Sequence, residues 1–174
     1  MILYETERLI LREWSEQDIE GLIQINQDKS VMKHFPRPYT AEETLTGITN
    51  FKNHQIKHGY SIWPCALKST NSFIGFVGLL NRDDMPFSPC IEIGWRLSKE
   101  HWNNGYATEA ALKCLEVGFN QFRLNEIVSF TAKLNKASER VMQKIGMLKI
   151  SNFEHPKLTP DHPLCEHVLY KIKS

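Results

Sequence analysis

The chain has 174 residues, 41% hydrophobic and 24% charged, and its 21 Lys and Arg nearly balance its 20 Asp and Glu for a net charge of +1. That length suits one domain with a buried core, here expected to span residues 1–174, and is short for two. Charge signs are evenly mixed and no apolar run approaches the ~20 residues of a membrane span, so neither nucleic acid nor a membrane is an expected partner. The N-terminal MILYETERLILREW has no signal-peptide layout, and a cytoplasmic protein is expected.

Taken in chain order, ERLILREW alternates well enough for a first strand, with Leu9 and Leu11 on one face. Ser15 can cap a helix whose apolar face is Ile19, Leu22 and Ile23. Thr40 opens a second helix with T-x-x-E, a capping box closed by Glu43. Its predicted face is Leu45, Ile48, Phe51 and Ile56, and Gly59 is a natural left-handed terminator. SIWPCALK and FIGFVGLL then read as a hairpin joined by Ser69-Thr70-Asn71-Ser72. After the loop NRDDMPFSP, CIEIGWRL is the next strand. A helix runs from about Gly105 to Gln121, with Ala107, Ala111, Cys114 and Gly118 inward and Leu115 and Phe119 alongside. EIVSFTAKL is a strand, Asn135 caps a short helix over KASERVMQKI that ends at Gly146, and LKISNF and HVLYKIK close the chain as strands. The pattern predicts an α+β domain, one mixed and mostly antiparallel sheet of six to seven strands with helices on both faces. Cys65, Cys90, Cys114 and Cys165 have no C-x-x-C spacing and are expected as free thiols.

The junction Asn103-Asn104-Gly105, between a strand and a well-formed helix, asks for a reason. The first turn of a helix leaves about four N–H groups unpaired and carries roughly half a positive charge, so anions bind there. Gly105 lacks the Cβ that would hold a phosphate off the backbone, Ala107 keeps the next approach low, and asparagine tolerates positive φ. As a tripeptide alone, N-N-G reads equally well as a plain turn.

The longer segment IEIGWRLSKEHWNNGYATEA closely resembles motif A of the GNAT superfamily of N-acetyltransferases, in the form of the RimJ/RimL-like branch. Gly105 and Ala107 match the last two fixed positions of Q/R-x-x-G-x-G/A. Trp102 stands where Gln or Arg is usual, as is common in that branch, and Asn103 stands where a glycine is usual. TERLILREW resembles the opening strand of the branch, Asn135 to Met147 resembles N-x-x-S-x-x-V/L-x-x-K-x-G-F/M, and the tail FEHPKLTPDHPLCEHVLY resembles that of a subgroup, so the likeness covers nearly the whole chain. It implies a GNAT fold in which the fourth and fifth predicted strands splay apart after a bulge and hold coenzyme A in the gap. It implies acetyl-CoA as co-substrate, no metal, and direct transfer to an amine-bearing acceptor, either a protein N-terminus or a small molecule. A non-catalytic CoA-binding scaffold is the alternative, and either a monomer or a homodimer fits.

The same resemblance assigns residues. Main-chain groups near Trp95, Arg96 and Leu97 would pair with the pantetheine arm. The loop from Trp102 through Asn103, Asn104, Gly105, Tyr106 and Ala107 to Thr108 would hold the pyrophosphate. Asn135 would contact the pantetheine, or act only as a helix cap. Ser138 would lie near the sulfur and donate to the thiolate, or serve only the Asn135 cap. Alternation turns Glu92 to the face opposite Ile91 and Ile93, where apolar walls would raise its pKa and suit it as a base; a structural carboxylate paired with an arginine is the other reading. Glu109 reads as structural. His155, His162, Cys165 and His167 match no recognised zinc spacing and read as a substrate-lining or structural loop. Phe35, Tyr39, Trp63 and Phe87 fall on loops or strand starts around the expected acceptor cleft; most such aromatics are core, and the exception is Phe35 to Tyr39, between helices where the family forms the acceptor wall.

Overall fold

The structure, a computed structural model, describes residues 1–174. A hairpin of β1 (Ile2–Glu5) and β2 (Leu9–Arg12) leads into α1 (Glu16–Gln27) and α2 (Ala41–His58). Next come β3 (Ile62–Leu67), β4 (Phe73–Arg82), β5 (Cys90–Leu97), a short 3-10 turn (Lys99–His101) and α3 (Tyr106–Asn120). The chain ends with β6 (Glu126–Ala132), α4 (Lys136–Lys144), β7 (Leu148–Glu154) and β8 (Glu166–Lys173). All strands join one sheet in the order β1-β2-β3-β4-β5-β6-β8-β7, antiparallel except for β5 beside β6. The sheet thus has eight strands. The additional one is β1, four half-exposed residues that fold back on β2 and carry too few side chains to show a period.

The helices lie on both faces. Ala110, Ala111, Cys114, Leu115 and Val117 of α3 pack with Met142 of α4 against Leu79, Ile93 and Ile127. Trp14, Leu22 of α1 and Ile48 of α2 cover Ile62 and Phe76 on the opposite face. Gly118 explains how closely α3 sits: an added Cβ would come within 3.0 Å of Ile127 and 3.1 Å of Leu79. The capping box of Thr40 and Glu43 forms, and α2 ends on Gly59 at φ +81°. Two expected faces shift. Leu45 and Ile56 of α2 are exposed, leaving Ile48 and Phe51 to make the contact, and α1 buries Leu22 and Ile25 rather than Ile23.

The centre of the sheet comes apart. β5 and β6 register at a single pair, Glu92 with Val128, followed by one side-chain bond from Ser129 Oγ to the Ile93 carbonyl at 2.9 Å. The expected bulge is not what separates them, because β5 pairs with β4 from Cys90 to Leu97 without a register shift. β6 likewise stays in register with β8 from Glu126 to Ala132. Each strand follows its outer neighbour, and the two half-sheets part beyond Glu92.

Candidate active site

A cleft of about 860 Å³ passes through this gap and is lined from both faces of the sheet. Its α3/α4 side includes Gly105, Ala107, Asn135 and Ser138; its α1/α2 side includes Phe35, Tyr39, Glu92, Gly94 and Arg96.

The edge of β5 toward the gap follows from the ladder. The Ser98 N–H donates to the Ile74 carbonyl at 2.9 Å, and hydrogen-bonded pairs alternate in an antiparallel ladder. Arg96, Gly94 and Glu92 therefore direct their main-chain groups at β4, while Ile93, Trp95 and Leu97 direct theirs at the gap. The Leu97 carbonyl is taken by Trp102 Nε1 at 2.9 Å, which ties the loop after β5 to the strand end. The Leu97 N–H and both main-chain groups of Trp95 remain for an extended ligand. The main chain of Arg96 does not face the gap, contrary to its expected place beside the pantetheine. Its side chain faces α1 and α2.

No main-chain N–H from Asn103 to Thr108 has an acceptor within the protein; the first helical bond is from Glu109 N to the Gly105 carbonyl. Asn103 has φ +61° and Gly105 φ +81°, and these two left-handed residues curl the loop into a concave row of amides at the positive end of α3. Asparagine fills the usual glycine place because it accepts this conformation. Glu109 points away from the row. It accepts from Thr6 Oγ1, from Arg8 N at 2.9 Å and from Arg8 Nε at 2.7 Å. Burial raises its pKa, but these bonds outweigh it and hold the carboxyl below its usual range. Arg8 also bonds the Asn104 carbonyl at 3.0 Å and lies 4.6 Å over the Tyr106 ring. A cation therefore stands at the rim of the amide row, unforeseen from sequence because it arrives from 96 residues away. The only local signal is an arginine at the β1–β2 turn.

Asn135 caps α4 by accepting from Ser138 N at 3.2 Å, and its Nδ2 donates to Thr131 Oγ1 at 3.0 Å and Ser138 Oγ at 3.1 Å. Both side-chain donors are engaged, so a ligand can use only its oxygen. Ser138 Oγ accepts from Asn135 and donates to no protein group, which leaves its O–H free toward the cleft.

On the other face Glu92 Oε2 accepts from Arg82 Nη1 at 2.9 Å, and its side chain is 16% exposed. Arg82 gives its other two contacts to Asp84, at 2.8 and 3.0 Å, and Asp84 also holds Lys157 at 2.7 Å. One guanidinium serves two carboxylates. Burial pushes Glu92 up to about 7; the pull of Arg82 opposes this and Asp84 adds to it.

The remaining wall combines local and distant elements. Phe35 and Tyr39 line the cleft as expected. Trp63 is a core residue, 2% exposed, with its N–H on Gln55. Phe87 packs edge-on against Phe130 and Phe153. His155 and His167 lie 4.8 Å apart and line the cleft, whereas His162 accepts from Leu164 N in its own turn. Burial, and then His167, lower His155 to about 4. All four cysteines are free.

A sheet opened at its centre, with a row of free amides at one mouth and a carboxylate of raised pKa beyond it, defines a class of acyl-transferring protein. Residues 8–148 match the acetyltransferase (GNAT) domain, and the chain belongs to that family of acetyl-CoA-dependent acetyltransferases. It is 32% identical to the Bacillus subtilis protein YkkB over 143 residues, covering 82% of this chain and 83% of that one. It is 31% identical to the B. subtilis N-acetyltransferase YnaD over 149 residues, covering 86% and 84%. The crystal structure of a GNAT-family acetyltransferase from Bacillus anthracis superposes with a TM-score of 0.81 at 28% identity, over 99% of this chain and 98% of that one. RimL, a ribosomal L7/L12 α-N-protein acetyltransferase solved with coenzyme A, shares the fold with a TM-score of 0.80 at 16% identity, over 99% and 98%.

Proposed function

We propose that the protein is an N-acetyltransferase of the RimJ/RimL-like branch that moves an acetyl group from acetyl-CoA directly to a primary amine. The observation that carries this reading is the cleft through the sheet, which joins the free amides of Asn103–Thr108 to the face bearing Glu92. Those amides suit a pyrophosphate, and the free edge of β5 at Trp95 and Leu97 suits an extended amide-bearing arm. Acetyl-CoA supplies an acetyl thioester.

Glu92 accepts a proton from the acceptor ammonium, directly or through water. The freed amine nitrogen then bonds to the acetyl carbon as the carbon–sulfur bond breaks, and the second proton that this nitrogen sheds goes to the leaving thiolate, through water. Ser138 Oγ–H donates a hydrogen bond to the sulfur, and the Asn135 amide fixes the direction of that hydroxyl. A pKa about 7 suits a base working near neutrality. Arg82 keeps the carboxylate in place without holding it fully ionised.

The test is an acetyl-CoA turnover screen against peptide N-termini, polyamines, amino acids and aminoglycosides. Acetylated amine and free CoA in equal amounts are expected for at least one class. Tight CoA binding with no turnover on any amine would contradict the reading and point to a CoA-binding scaffold.

A further inference from the structure

We propose that the acceptor is a small primary amine that also carries a carboxylate, and that Arg96 binds that carboxylate. This rests on the acetyltransferase reading above and names its substrate class.

Arg96 is a half-buried cation with no ion-pair partner. Within the protein its Nη1 donates to Asn26 Oδ1 and the Tyr39 hydroxyl lies beside the fork, while its Nε is buried without an acceptor. An arginine has five N–H donors, so most of this fork is unmatched. The guanidinium lies 4.3 Å over Phe35, 5.2 Å over Tyr39 and 5.3 Å over Phe76. Rings stabilise a cation but accept no strong hydrogen bond from its edge. The fork is also held in place. Asn26, 3% exposed, donates its amide to Thr44 Oγ1 at 3.0 Å, and Thr44 donates to the Thr40 carbonyl at 2.9 Å, so the Asn26 oxygen is turned to Arg96. A cation positioned in this way and left without a counter-ion is matched by a ligand anion, and a planar carboxylate fits the fork.

The surroundings narrow the ligand. Glu92, Gly94 and Arg96 share one face of β5, with about 13 Å between the outer Cα atoms by strand rise. Gly94 leaves the floor open: an added Cβ would have only Glu92 Oε1 within 4 Å, at 3.9 Å. Between base and cation there is space for a molecule the size of an amino acid. The cleft offers little to a second ammonium, because Glu43 is paired with Arg37 and Glu92 with Arg82. Burial lowers the pKa of Arg96 and Tyr39 opposes this in part, the direction expected of a cation lacking an ion-pair partner.

The test compares acceptors that differ only at the carboxylate: β-alanine with β-alaninamide, phenylalanine with phenylalaninamide, and 4-aminobutyrate with its amide, beside spermidine and a peptide with a free N-terminus. For at least one pair, kcat/KM for the acid should exceed that for the amide by about tenfold to a hundredfold, the range for a charged hydrogen bond. Arg96→Gln should reduce the ratio to about one through KM, with CoA affinity unchanged, and Arg96→Lys should restore part of it. Preference for amides, spermidine or the peptide, or an equal loss on acid and amide in Arg96→Gln, would overturn the proposal. An independent readout uses the wild-type CoA complex and the Arg96 Nε–H resonance, assigned through Arg96→Lys. N-acetyl-β-alanine should shift it and N-acetyl-β-alaninamide should not; no shift, or equal shifts, overturns the proposal. If the acid shifts the resonance while no amine is acetylated, the anion site stands and the acetyltransferase reading fails.

Discussion

Glu92 and Ser138 stand on opposite faces of the gap, and their variants should fail differently. Glu92→Gln keeps the shape and removes the proton acceptor, so kcat should fall by about 10²–10⁴, and the acidic limb of the rate profile, centred near pH 7, should vanish. Stability gives a second readout. An unfolded glutamate titrates near 4.5, and in the fold this one titrates near 7. Between those values the folded protein binds more protons than the unfolded chain, so this group's contribution to stability is full below pH 4.5 and falls as pH rises through the window. The melting temperature of Glu92→Gln relative to wild type should therefore rise from pH 5 to pH 8, read by thermal melts at each pH. A purely structural Arg82–Glu92 pair, its carboxyl held below 4.5, would leave that difference flat from pH 5 to pH 8 and kcat unchanged. In the proposed mechanism Ser138→Ala would lose one hydrogen bond to the sulfur. Its kcat should drop about tenfold to a hundredfold with the acidic limb intact. Sequence alternation placed Glu92 on the correct face of its strand. It could not reveal that Arg82 is shared with Asp84, nor that Arg96 lacks an ion-pair partner, because those facts depend on loops and helices that meet only in the fold.

The loop and first turn of α3 form one element, and the proposed donor site rests on it. Gly105→Val forces a branched side chain into a left-handed conformation and uncurls the amide row. Calorimetry should find CoA binding lost while the far-ultraviolet spectrum persists; unchanged affinity would remove the loop from the donor site. Helix α1 matters through its ends. Its start is fixed by Asp18, fully buried, which bonds Arg12 at 2.7 Å and Ser15 N at 3.0 Å, and near its end lies Asn26. Asp18→Ala leaves Arg12 buried without a counter-ion and should cost about 3–5 kcal/mol in denaturant unfolding. The acceptor KM should rise as Asn26 loosens. The helix boundaries were legible because capping residues announce them: Ser15, Thr40 with Glu43, Gly59 and Asn135 all act where the sequence put them. The faces of α1 and α2 were less legible. Apolar residues such as Ile56 occur on exposed faces too, and a short segment such as β1 joins a sheet through its backbone rather than through a pattern.

In the whole molecule, two half-sheets, β1-β2-β3-β4-β5 and β6-β8-β7, join through Glu92 and Val128 and part beyond them. The resemblance anticipated the opening but not that both flanking ladders stay in register, since a sequence carries no direct mark of where two strands cease to pair. The opening connects the amides of Asn103–Thr108 to the face of Glu92, Gly94 and Arg96, so donor and acceptor would meet across the sheet without a covalent relay. The buried thiols agree with this: burial pushes Cys65 up to about 12 and raises Cys114 well above its ordinary value, so neither is a ready nucleophile. The most direct measurement is a rapid-quench single turnover in which protein loaded with acetyl-labelled acetyl-CoA is mixed with an amine acceptor. The label should leave CoA and appear on the amine in one phase, with none recovered on the protein. Label passing through the protein, or staying on bound CoA with every amine tried, would contradict direct transfer across the gap.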